Sequence, residues 1–153
     1  MVVDARFLKK EILDKYGTTN GPNCAECMFL YAVKTLNVDV PDSMMKIATP
    51  FGGGMGRCED TCGTLIGGMI VIGLKYGREN LDGDKLKPYA IAKSFFNWFK
   101  NEFGATDCLT LNHSDFTSEE HRNRCGGTFI AKSIEYLDGL FDLVDSGEWN
   151  PEM

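Results

Sequence analysis

The chain has 153 residues, enough for one domain whose core buries roughly two-thirds of the unfolded surface without disulfide staples. Apolar residues make up 43% and charged residues 25%, which excludes an intrinsically disordered chain. The formal charge is -6 and Lys and Arg form no cluster, which argues against nucleic acid as a partner, because phosphate binding needs grouped cations.

The first residues, Met-Val-Val-Asp-Ala-Arg-Phe-Leu-Lys-Lys, lack the basic start, apolar stretch and small-residue cleavage site of a signal peptide. Val3 to Tyr16 is predicted as the opening helix, with Phe7, Leu8, Ile12 and Leu13 on its apolar face and Gly17 ending it. Gly17 to Pro22 reads as a turn. Asn23 is then expected to cap a second helix reaching about Leu36, with Met28, Tyr31, Ala32 and Leu36 at helical spacing. Pro41 and Asp42 open a shorter helix, closed by Pro50 and the glycine run Gly52-Gly53-Gly54-Met55-Gly56.

Asp60 or Thr61 is the expected cap of the next helix, from about Cys62 to Tyr76. It is apolar nearly all round, which fits the middle of a bundle. Gly63, Gly67 and Gly68 cost helix propensity there, so a neighbouring helix or a bound centre is expected to approach the backbone closely. About Asp84 to Phe103 follows, with Phe95, Phe96, Trp98 and Phe99 expected in the core or, alternatively, at the interface of a homodimer. A connection through Cys108 and His113 leads to a last long helix, capped by Thr117 or Ser118, ending near Val144 and bent at Gly126-Gly127. Cys108 to Leu111 would suit an extended segment but has no partner strand. The expected fold is therefore all-α: a single-domain helical bundle of about five to six helices spanning residues 1–153.

The most apolar stretch, Leu65 to Leu74, is far shorter than the ~20 residues that span a bilayer. A soluble, cytoplasmic protein with no membrane association is expected, and six cysteines are unusual there because reducing compartments disfavour structural disulfides. Cys24 and Cys62 fall at predicted helix starts, Cys125 at the suspected break, and Cys108 just after a helix end. The partial positive charge of a helix amino terminus favours thiolate, the form that attacks and that binds metal. Taken singly, each cysteine reads equally well as a small buried apolar residue. Taken as a set, they suggest one convergent site. Cys24-Ala25-Glu26-Cys27 and Cys58-Glu59-Asp60-Thr61-Cys62 add two short spacings, and Cys24, Cys27, Cys58 and Cys62 have the ligand count for zinc. A thioredoxin-like role would need a βαβ context, which is missing. His113 and His121 read as solvated or capping residues, with a ligand or proton donor as the alternative for His113.

Phe51-Gly52-Gly53-Gly54-Met55-Gly56-Arg57, followed by Cys62-Gly63-Thr64-Leu65-Ile66-Gly67, resembles the redox-active C_GCAxxG_C_C family. The resemblance takes in Asn23-Cys24-Ala25 upstream and Cys108 and Cys125 downstream, covering about Asn20 to Tyr136. It places the family's four cysteines on Cys24, Cys62, Cys108 and Cys125, with Thr64 standing where the family has alanine. Cys27 and Cys58 are additions, either as further metal ligands or as a resolving dithiol. A similar pattern occurs in a domain of the split-Soret cytochromes that is associated with an iron–sulfur centre. The resemblance thus implies an iron–sulfur cluster held by these four cysteines, with backbone N–H groups near Gly63, Gly126 and Gly127 reaching its sulfides, and an unidentified redox partner protein. Haem is not expected, since no C-x-x-C-H sequence is present. The alternatives are a thiol–disulfide protein, structural zinc, or no cofactor. Enzyme status stays open.

Overall fold

The computed structural model describes residues 4–152. Among them are seven α-helices rather than five to six: α1 Ala5–Lys15, α2 Cys24–Thr35, α3 Gly63–Tyr76, α4 Leu86–Phe103, α5 Cys108–Asn112, α6 Glu119–Arg124 and α7 Ala131–Ser146. Asp42–Ile47 and Thr49–Phe51 are 3-10 turns. Gly52–Met55 is a tight turn rather than a helix, because Gly53 and Gly54 hold φ of 65° and 71°. No strand forms among the described residues, and one antiparallel bridge pairs Thr61 with Asp107.

The larger number of helices has two local causes. Cys108 to Leu111 is helical rather than extended, because the Asp107 carboxylate accepts the Thr110 N–H at 2.8 Å and starts a helical turn. The final helix is broken by a π segment, Cys125–Ile130, whose i→i+5 bonds separate α6 from α7. This is the region where the two glycines suggested a bend. Elsewhere the caps follow the sequence closely. Asn23 and Glu26 form a reciprocal capping box on α2, and Ser118 accepts the His121 N–H at the start of α6. Cys62, rather than Asp60 or Thr61, is the N-cap residue of α3, and it makes no side-chain cap bond.

Helix α3 packs along α2 and α4, with α7 also against it. Its glycines explain the close approach. A Cβ on Gly67 would meet Met28 Cβ at 2.8 Å, and one on Gly68 would meet the Phe95 ring at 2.2 Å. The core gathers Met28, Phe29, Leu65, Ile72, Ile91, Phe95, Phe99, Ile134 and Leu137, all essentially without exposure. In α1, Leu8 and Ile12 are buried as expected, while Phe7 is 61% exposed and Tyr16 takes an inward place. Phe95, Trp98 and Tyr136 stack within the chain, Trp98 and Tyr136 at 4.3 Å between ring centroids, whereas Phe96 lies partly exposed. Among the described residues no helix is long and apolar enough to cross a membrane.

Candidate functional site

Four helical segments deliver one cysteine each to a common cavity. Cys24 is the first residue of α2, Cys62 caps α3, Cys108 opens α5 and Cys125 opens the π segment. Main-chain bonds set two of them side by side. Cys62 N–H donates to Thr106 C=O and Cys108 N–H to Asp60 C=O, both at 2.7 Å, so the chain before α3 runs against the chain before α5. The cavity, about 550 Å³, is lined by Cys24, Cys62, Cys108 and Cys125 together with Gly52, Gly53, Gly63, Tyr16, Asn112 and His121. Among the described residues no three His, Cys, Asp or Glu side chains stand close enough to hold one metal ion, so the sulfurs ring the cavity rather than meet at one point.

The other two cysteines are elsewhere. Cys27 is wholly buried in the apolar core and Cys58 is exposed, and neither lines the cavity. The structure therefore does not gather Cys24, Cys27, Cys58 and Cys62 into one site. All six cysteines are free thiols.

The cavity needs small residues at specific points. A Cβ on Gly63 would stand 2.5 Å from Cys24 Sγ and 2.7 Å from Phe51 C=O, and one on Gly54 would stand 2.7 Å from Cys108 Cβ. Gly126 and Gly127 behave differently from the expectation. Their open faces are filled by α1, with Tyr16 Cδ1 at 2.9 Å and Lys9 Cε at 3.1 Å from the missing Cβ atoms. They serve helix packing and do not line the cavity.

The electrostatics also differ from the helix-terminus expectation. Burial pushes every cavity thiol up, Cys62 to about 12, and Cys24, Cys108 and Cys125 in the same direction. Neighbouring sulfurs raise them further: Cys108 acts on Cys24, Cys24 on Cys62, and Cys62 and Cys24 on Cys125. Backbone N–H groups of Gly53 and Ala25 at Cys24, and of Thr64 and Leu65 at Cys62, oppose the rise without overcoming it. With four sulfurs in one low-dielectric space, desolvation outweighs a half-charge at a helix end. The raised pKa values keep these thiols protonated at neutral pH.

A hydrogen-bonded network completes the site. Asn112, 2% exposed, donates through Nδ2 to Cys108 Sγ at 3.3 Å. Its Oδ1 accepts from Arg124 Nε at 3.0 Å and from the Cys125 thiol at 3.2 Å. His121, expected at the surface, is 8% exposed and stands 3.6 Å from Cys125 Sγ through Nδ1 and 3.0 Å from the Tyr16 hydroxyl through Nε2. Burial first, then the Arg124 charge, lowers the His121 pKa, so the ring is neutral at pH 7. His113 does serve as a cap, ending α5 with a left-handed backbone. The sequence sign for His121 is its i, i+4 spacing to Cys125, and Asn112 carries the same spacing to Cys108; nothing comparable marks Tyr16.

The donor set suits a thiophilic metal centre. Besides the N–H groups, the wholly buried Thr64 hydroxyl has no hydrogen-bond partner, yet it is placed to stabilise a Cys62 thiolate. Such an orphaned donor is satisfied once Cys62 becomes anionic.

The chain matches the family model described as "Putative redox-active protein (C_GCAxxG_C_C)" over residues 22–139. It is also similar to "Protein A1" of Escherichia phage T5, 34% identical over 110 residues, which is 65% of this chain and 17% of that protein. The chain thus spans about one-sixth of that relative's length. No solved structure matches. The family match takes in all four cavity cysteines and the glycine run between the first two, and on that basis the chain belongs to the redox-active C_GCAxxG_C_C family.

Proposed function

We propose that this chain is a redox protein whose Cys24, Cys62, Cys108 and Cys125 ligate an iron–sulfur cluster for electron transfer or redox sensing. The observation that carries the reading is the ring of four cysteine sulfurs around one cavity, each from a different helical segment. Sulfurs spaced around a cavity would suit a polynuclear centre, whose irons share the four thiolates, better than a single tetrahedral zinc ion, which needs its ligands at one point. When bound, such a cluster supplies one-electron chemistry.

The chain's own groups have definite tasks in this reading. Cys24, Cys62, Cys108 and Cys125 would hold the cluster as thiolates, and its positive irons would offset the desolvation that otherwise keeps the four thiols protonated. Gly53 and Leu65 N–H groups and the Asn112 amide stabilise sulfur charge, and Arg124 lowers the cost of thiolate at both Cys125 and Cys108. Cys27 and Cys58 take no part. Six free thiols fit a reducing, cytoplasmic setting, and a separate redox protein would exchange electrons with the centre.

Anaerobic purification followed by iron and acid-labile sulfide analysis tests the reading. Iron and sulfide in equal amounts, with visible absorption that bleaches on reduction, is the expected result. Stoichiometric zinc without sulfide would favour a structural metal, and thiols that interconvert with a disulfide without any metal would favour dithiol chemistry.

A further inference from the structure

The cavity extends past the cysteines to a mouth with its own chemistry. Its volume of about 550 Å³ lies in the ~300–1,000 Å³ range of small-molecule sites. Of the residues lining it, Arg57 alone carries a permanent charge, and no carboxylate lines it, although the chain as a whole carries a charge of -6. The Arg57 guanidinium carbon lies 5.9 Å from the centre of the Phe116 ring, and Arg57 is paired with no carboxylate among the described residues. Two nearby acids are engaged elsewhere, since Glu26 accepts from Asn23 N–H and the Thr49 hydroxyl and Asp115 faces Arg124 and the Ser118 cap, while Glu59 acts on the Cys108 thiol without lining the cavity.

The backbone holds Arg57 in this place at a cost. Met55, Arg57 and Glu59 all have positive φ, at 66°, 63° and 60°, which disfavours each by about 1 kcal/mol or more relative to ordinary backbone. Arg57 N–H donates to Gly52 C=O at 3.0 Å, and a Cβ on Gly53 would stand 2.7 Å from Arg57 Cγ. The arginine stem therefore lies across Gly53, the residue whose N–H serves Cys24. A flexible surface arginine would need neither the strained turn nor the bare glycine beneath it.

We propose that this mouth binds a small anion, a carboxylate- or phosphate-bearing molecule, held by the Arg57 guanidinium beside Phe116 and brought against the cysteine ring. A guanidinium fork matches the two oxygens of either group, and no carboxylate among the lining residues competes for it. As the ligand of a redox centre this anion rests on the cluster reading; its binding does not require iron.

The test uses the full chain in two states, iron-loaded and metal-free with thiols kept reduced. Acetate and inorganic phosphate are titrated at constant ionic strength while the Arg57 Nε–H and Phe116 ring signals are followed by NMR. A saturable shift is expected in at least one titration, weakened ~10–100-fold in Arg57→Gln, the loss of one charged hydrogen-bonding group, and unchanged in Lys93→Gln, an exposed α4 cation outside the cavity lining. The side chain of Arg57 is exposed, so circular dichroism of Arg57→Gln should match the parent. No saturable shift with either anion, or equal binding by Arg57→Gln, overturns the proposal. So does an Arg57→Gln change confined to the reduction potential, which would make Arg57 a counter-charge to the centre. Anion binding by a chain that takes up no iron would sustain this site while removing the cluster reading.

Discussion

Tyr16 and His121 are 105 positions apart in the chain, yet the phenol oxygen stands 3.0 Å from the imidazole Nε2, both groups buried. The contact fastens the end of α1 to α6 and, through the other ring nitrogen, supports the Cys125 wall of the cavity. Tyr16→Phe leaves a buried ring nitrogen unpaired, so a loss of about 1–3 kcal/mol is expected in denaturant unfolding of the metal-free protein. Unchanged stability would mean that water replaces the phenol, and that the contact does not hold the wall.

Two glycines in the same helix should respond oppositely to alanine. At Gly63 the added Cβ meets Cys24 Sγ and a main-chain carbonyl, so Gly63→Ala is expected to cost about 1–3 kcal/mol and to lower iron loading. At Gly73 nothing lies within 4 Å, so Gly73→Ala should gain about 0.5–1 kcal/mol from helix propensity alone. Thermal unfolding of the pair, with iron content alongside, separates a site effect from a general one.

Cys27 and Cys58 divide by burial. Cys58→Ser, on an exposed thiol, should change stability by no more than about 0.5 kcal/mol. Cys27→Ser puts a hydroxyl into apolar core and should cost about 1–3 kcal/mol. Iron content per folded chain is expected to equal the parent's in both, and a large loss in either would add that residue to the ligand set.

Acid sensitivity should arise partly far from the cavity. Partial burial raises the Asp145 carboxyl, but hydrogen bonds from Lys75 and Tyr76, each 2.8 Å, outweigh it and hold the pKa below its ordinary 3.8. A lowered folded-state pKa means that the unfolded chain binds the proton more readily. The stabilisation is therefore complete only above about pH 5, and it is lost as the pH falls through 3.8 and then through the lowered folded value. Asp145→Asn should flatten the stability profile in that window, read by urea unfolding at a series of pH values. An unaltered slope would leave α3 and α7 held together by apolar packing alone.

Much of this architecture is written locally. Asn23 followed three positions later by Glu26 announces the start of α2, and the apolar spacing of Met28, Tyr31, Ala32 and Leu36 gives its buried face. Cys24 and Cys62 are likewise readable from predicted helix starts, whereas Cys108, expected after a helix end, and Cys125, expected at a break, join them through the family pattern. What the sequence hid depends on distant packing. Five residues are too few to show a helical period, so α5 was not legible. Gly126 and Gly127 marked the break, but only the docking of α1 shows that their bare faces serve Tyr16 and Lys9. The thiol acidity reversed for a similar reason: a helix start can be read from neighbours in sequence, whereas the desolvation that outweighs it comes from the whole fold.

The most direct test is iron per folded chain, measured after anaerobic reconstitution, for the parent and for single serine replacements of all six cysteines. Ser at Cys24, Cys62, Cys108 or Cys125 is expected to abolish or sharply reduce the bound iron and its visible absorption, while Ser at Cys27 or Cys58 leaves both intact. Iron retained in full by all four cavity variants, or absent from the parent itself, would contradict a cluster held by this ring.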